Sequence, residues 1–116
     1  MKENVIKNTS FAFALRVVKL YQFLQEQKKE FVMSKQLLRS GTAIGALVRE
    51  AEQAESKADF IHKQSIALKE ANETEYWIEL LHKAKYIDAK SYTSINNDLT
   101  ELLKLLVSII KTSKGK

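Results

Sequence analysis

The residues best suited to chemistry are two histidines, each standing three places after a carboxylate: Asp59-x-x-His62 and Glu79-x-x-His82. A carboxylate and an imidazole at that spacing share a helix face. One such pair from each of two helices, at one depth, makes a di-metal carboxylate site. Here both pairs fall in a single helical segment, separated by about 20 residues and so by about 30 Å of helix. One chain cannot bring them to a common ion. The first and fourth helices offer no inward glutamate either: Glu26 lies near a helix end and Glu101 beside the apolar seam. No metal site is expected. Gly41-Thr42-Ala43-Ile44-Gly45 is not a phosphate loop, because it lies within a helical pattern and no Lys-Ser/Thr follows it. No serine occupies a nucleophile elbow, and the chain has no cysteine. The expectation is a protein that is not an enzyme and carries no cofactor.

Two polar clusters fit binding better than catalysis. The face of the second helical segment away from its apolar stripe carries Lys35, Arg39, Ala46 and Arg49, with Glu50 beside Arg39. Small residues between arginines leave the guanidinium groups open to bidentate phosphate contact, although an ordinary solvated face has the same composition. The second cluster is Lys69-Glu70-Ala71-Asn72-Glu73-Thr74. Glu70 and Glu73 share a helix flank with Ile66, Trp77 and Leu80, so they are expected to be partly buried and to need cations. Arg39, Glu50, Lys69, Glu70 and Glu73 form a candidate structural ion-pair network.

Four helices must position these residues. The chain has 116 residues, 45% of them hydrophobic and 28% charged, with no proline and three glycines, which argues against a turn-rich β fold. The first helix is expected to start at Thr9 or Ser10 and to end near Lys28-Lys29, with 1–8 and 111–116 as frayed tails of a single domain. It carries two apolar rows, one of Phe11, Leu15, Val18 and Tyr21, the other of Phe13, Val17, Leu20 and Leu24. Ser34 reads as the cap of the second helix, whose stripe is Leu37, Gly41, Ile44, Val48 and Ala51. Gly41 and Gly45 each cost about 1 kcal/mol of helix propensity, which a close helix crossing would offset. Ser56, with Asp59 three residues on, opens the third helix, which buries Phe60, Ala67, Leu68, Ala71, Ile78 and Leu81. Asp88 caps the fourth, whose seam is Ile95, Leu99, Leu102, Leu106 and Ile109. Short connections make neighbours antiparallel. The fold class is all-α, an antiparallel up-and-down four-helix bundle.

The net charge of +5 permits a polyanionic partner, and the excess of Lys and Arg sits in residues 1–33 and 88–116. The N-terminal segment has no signal-like apolar core, and Leu99–Ile110, the most hydrophobic stretch, falls well short of the roughly 20 residues of a membrane span. A cytoplasmic protein without membrane contact is expected. Leu99–Ile110 is nevertheless richer in aliphatic residues than one core-facing stripe requires: Leu105 stands opposite the seam. Ile66, Trp77 and Leu80 form a second flank on the third helix. Ile66, Trp77, Leu80 and Leu105 are therefore candidate interface residues of a homo-oligomer.

The run Gln36-Leu37-Leu38-Arg39-Ser40-Gly41-Thr42-Ala43-Ile44-Gly45-Ala46, followed by Glu50-Ala51, resembles the signature of the four helix bundle proteins encoded in ribosomal RNA intervening sequences. Ser56-x-x-Asp59-Phe60, Ala67-x-Lys69-Glu70-Ala71-x-Glu73-Thr74-x-Tyr76-Trp77 and Leu80-Leu81 extend the likeness over residues 11 to 110. Arg39, Glu50, Lys69, Glu70 and Glu73 match the pattern. Ala43 and Leu47 depart from it, standing where it usually has Ser and Asn. The resemblance implies a bundle that forms a ring-shaped homopentamer. It also implies kinship with accessory proteins of diversity-generating retroelements, which bind nucleic acid and a reverse transcriptase. It implies no enzymatic activity, and the ribosomal label reflects gene location. On this reading the partners are further copies of the chain and RNA or DNA, with Lys35, Arg39, Arg49, Lys57 and Lys63 as candidate contacts. The rival is a protein–protein scaffold whose charges only solubilise.

Overall fold

The computed structural model describes residues 2–115. Four helices account for nearly all of them: α1 (Lys2–Glu26), α2 (Met33–Glu52), α3 (Lys57–Lys83) and α4 (Ala89–Lys114). Consecutive helices pack side by side, and α4 closes back on α1, while the backbones of the diagonal pairs do not approach closely among the described residues. The result is an up-and-down bundle of 46 × 21 × 19 Å. The α1–α2 and α3–α4 connections lie at one end of this rod, here called the turn end. The α2–α3 connection, the start of α1 and the end of α4 lie at the other.

The core follows the apolar stripes. Leu37, Gly41, Ile44, Val48 and Ala51 of α2 are buried, as are Ile95, Leu99, Leu102, Leu106 and Ile109 of α4. On α3, Ala67, Ala71, Ile78 and Leu81 are buried, while Phe60 and Leu68 are half-buried against the core. The same α3 stripe also buries Gln64 and Thr74. Of the two rows on α1, the core takes Phe13, Val17 and Leu24 and leaves Phe11 and Leu15 exposed. Leu105, read as opposite the seam, is half-buried and packs against the core.

The first helix begins well before Thr9. Residues 2–8 are helical and Ile6 is buried, so Ser10 is an interior residue whose hydroxyl donates to the Lys7 carbonyl. Residues 111–114 likewise continue α4. Met1 and Lys116, the outermost residues of the expected tails, lie outside the described residues.

Ser34 does not cap α2. The Glu30 carboxylate does, accepting from the backbone N–H groups of Val32, Met33 and Ser34 at 3.2, 3.0 and 2.7 Å. Ser34, inside the helix, donates its hydroxyl to the Glu30 carbonyl at 2.8 Å. Ser56 and Asp88 cap α3 and α4, accepting from the N–H groups of Asp59 and Ser91. The Asp59 carboxylate reaches back to the N–H of Glu55, one residue before the position that a capping box uses. Helix α3 stops in a Schellman arrangement: the N–H of Tyr86 bonds the Leu81 carbonyl and that of Lys85 the His82 carbonyl. Lys85 adopts φ 71° and Lys29, after α1, φ 54°, so lysine holds both left-handed positions of the turn end.

Candidate nucleic-acid interface

The α2–α3 face is tied within the chain. Arg39 projects from α2 across to α3, with Nη1 3.1 Å from Glu70 Oε1 and Nη2 2.5 Å from Glu73 Oε2. Glu73 also accepts the indole N–H of Trp77 at 3.0 Å. That indole bond and the Arg39 guanidinium hold the Glu73 carboxyl below its usual value, and Lys69 adds a weaker field. Glu73 in turn raises Arg39. Beneath this network the Ser40 and Thr74 hydroxyls meet at 2.9 Å between the two helices, both buried. Glu50 lies outside the Arg39 cluster and pairs with Lys63 at 3.3 Å, again between α2 and α3.

The five candidate contacts are thus in different states. Arg39 and Lys63 are held by carboxylates, and the Arg49 guanidinium lies 5.0 Å over the Phe11 ring. Lys35 and Lys57 are exposed and have no ion pair among the described residues. They start α2 and α3 and so stand at opposite ends of that hairpin, about 30 Å apart. These five residues do not form one basic patch in a single chain.

A different set of cations gathers at the turn end. Lys28, Lys29, Lys35, Lys83, Lys85 and Lys90, drawn from both connections and the adjoining helix ends, are exposed. Each of the five ion pairs found among the described residues uses some other cation: Lys7, Arg16, Arg39 twice, or Lys63. Two nearby carboxylates are turned onto helix N-termini. Burial pushes the Glu30 carboxyl up, but the amides of Met33, Ser34 and Val32 outweigh it and leave it lowered. The Ser91 amide and side chain hold Asp88 down. Periodicity missed this set because three of the six (Lys28, Lys29 and Lys85) belong to connections and the other three to the terminal turns of helices, where the helical repeat says nothing about neighbours.

The histidines stand apart. His62 is exposed, whereas His82 is half-buried at the turn end, its Nδ1 3.1 Å from the Ile87 carbonyl and its ring stacked 4.3 Å from that of Tyr92. Among the described residues no group of three His, Asp or Glu side chains is set to hold a metal ion, and no helix is long and apolar enough to cross a membrane. Of the candidate interface residues, Ile66, Trp77, Leu80 and Leu105 are all half-buried, and Trp77 and Leu105 pack on the core. Phe11 and Leu15 remain 49% and 50% exposed.

A profile of the family described as 23S rRNA-intervening sequence protein matches residues 2–108. The chain belongs to that family. Its bundle also superimposes on the crystal structure of a protein of unknown function from the S23 ribosomal protein family of Bacteroides thetaiotaomicron VPI-5482. The TM-score is 0.94 at 67% sequence identity, covering 96% of this chain and 99% of that one. No curated protein matches the chain. Leu47, one of the two residues that depart from the pattern the sequence resembles, is half-buried against the core.

Proposed function

We propose that this 23S rRNA-intervening sequence protein is a non-enzymatic, homo-oligomeric binding protein of the cytoplasm that holds RNA or DNA through lysines repeated around its ring. The observation that carries the reading is the set of six exposed lysines at the turn end, none of them ion-paired among the described residues. Cations without carboxylate partners keep their full attraction for phosphate. A net +5 per chain becomes about +25 in the pentamer that the family resemblance implies, and binding of such a ring is strong and salt-dependent. Lys35 and Lys57 contribute directly, whereas Arg39, Arg49 and Lys63 must first leave Glu70 and Glu73, Phe11 and Glu50. Exposed Phe11 and Leu15 support self-association, because a second copy removes both from water.

Gel-shift titration against unrelated RNA and duplex DNA at about 50 and 200 mM salt tests the reading. A shift at low salt that weakens at high salt is expected; no shift at low salt ends it. The charge-mixed α2–α3 face, where Arg39 and Lys63 are balanced by Glu70, Glu73 and Glu50, favours a second reading, a scaffold for a protein partner. Co-purification with a protein, together with failure to bind either nucleic acid, supports that reading instead.

A further inference from the structure

The turn end is more than a set of lysines. Between α1, α4 and the 84–88 connection lies an open cleft of about 620 Å³, within the size range of small-molecule sites. Its apolar lining comes from Leu20, Phe23, Tyr86 and Ile87, and the lysines on it are Lys28, Lys83 and Lys85. Phe23 is 40% exposed, with Lys28 Nζ 5.9 Å from its ring centroid. Asp88 also lines the cleft, but its carboxylate is engaged with the Ser91 amide at 2.8 Å.

We infer that this cleft receives one unpaired base of a single-stranded RNA or DNA, the base lying on the Phe23–Tyr86 wall and the flanking phosphates on Lys83, Lys85 and Lys28. The inference rests on the nucleic-acid reading above and gives it a place. Three features select this ligand. An aromatic wall suits the π-face that every base has, and a strand with unstacked bases can reach into a cleft as a duplex cannot. The cations stand beside the apolar surface, matching a ligand that is apolar at one end and anionic at the other. Lys85 occupies its place at φ 71°, where glycine is the easier residue, so a cation is held at the cleft against backbone preference.

The test is fluorescence anisotropy with labelled single-stranded oligonucleotides, RNA and DNA, and with a blunt duplex. Three variants of the full chain are compared with wild type. Lys83→Ser/Lys85→Gly removes two cleft cations and eases the backbone, so the bundle is retained. Lys111→Ser/Lys114→Ser removes the same charge from the opposite end of the rod. Phe23→Ala removes the aromatic wall. The first variant is expected to weaken single-strand binding about tenfold and to flatten the slope of log affinity against log salt by about 1.4. The second should change single-strand affinity less than threefold. Phe23→Ala should weaken single strands about tenfold and leave duplex affinity unchanged. Equal losses from the two lysine pairs would overturn the cleft and leave the nucleic-acid reading standing, as would a Phe23→Ala loss shared equally by duplex. Wild type that binds none of the three probes overturns both.

Discussion

Glu30 is a carboxylate placed where helix α2 has three free amides, with only 7% of its surface exposed. It serves as the cap from three positions before the helix starts, satisfying donors that the helix itself leaves unpaired, that of buried Ser34 among them. Glu30→Gln keeps the shape but loses the charge and one acceptor, and should cost about 1–2 kcal/mol at neutral pH. The folded-state pKa lies below the ordinary 4.5. The stabilisation from ionised Glu30 is therefore complete above that value and disappears as pH falls through the lowered pKa. Urea titrations of wild type and E30Q should show a stability gap at pH 7 that narrows towards about pH 3; a pH-independent gap would mean that shape alone is at work. Ser56 and Asp88 were legible as caps because each immediately precedes its helix. Glu30 was not, since Ser34 stands before the apolar stripe of α2 with the right chemistry and the chain places it two residues past the cap position.

At the scale of the element, two glycines that look alike in sequence have different neighbours. A Cβ on Gly41 would stand 2.7 and 2.8 Å from the two methyls of buried Val17 and 3.2 Å from its Cβ, so rotating the isopropyl group alone does not clear the space. A Cβ on Gly45 would meet the Ser10 backbone at 3.5 Å, an ordinary contact. Gly41→Ala should destabilise by about 1–2 kcal/mol even after its gain in helix propensity, and Val17→Ala should relieve much of that cost in the double mutant. Gly45→Ala should stabilise by about 0.5–1 kcal/mol. Thermal unfolding of the four proteins checks both signs. Spacing located the α4 stripe residue for residue and found every member of the α2 stripe, although α2 also buries the small residues Ser34, Ser40 and Gly45 beside it. It could not choose between the rows of α1, which is apolar on both, nor foresee that α3 buries Gln64 and Thr74 on its core face.

At the scale of the whole molecule, the ring proposed above would make charge and apolar surface act through copy number. The sequence puts its candidate contact arginines on α2, but the carboxylates that take Arg39 and Lys63 belong to α3 and α2, and only the bundle decides which carboxylate meets which cation. What α1 leaves outside is clearer: Phe11 and Leu15 stand one turn apart, half exposed, with the Arg49 guanidinium over the first. Leu15→Glu changes an exposed side chain and should alter the stability of the subunit by about 0.5 kcal/mol or less. Placed between copies, the same carboxylate would be buried without a partner, so light scattering should fall from a multiple of 13.3 kDa to the single-chain mass. The turn-end lysines remain intact in that variant, yet strand binding should weaken by roughly a hundredfold, because contacts made by neighbouring subunits are no longer linked. A Leu15→Glu protein that keeps the wild-type mass would remove the α1 row from the interface. One that becomes single-chain and binds as tightly as before would mean that each subunit holds the strand alone.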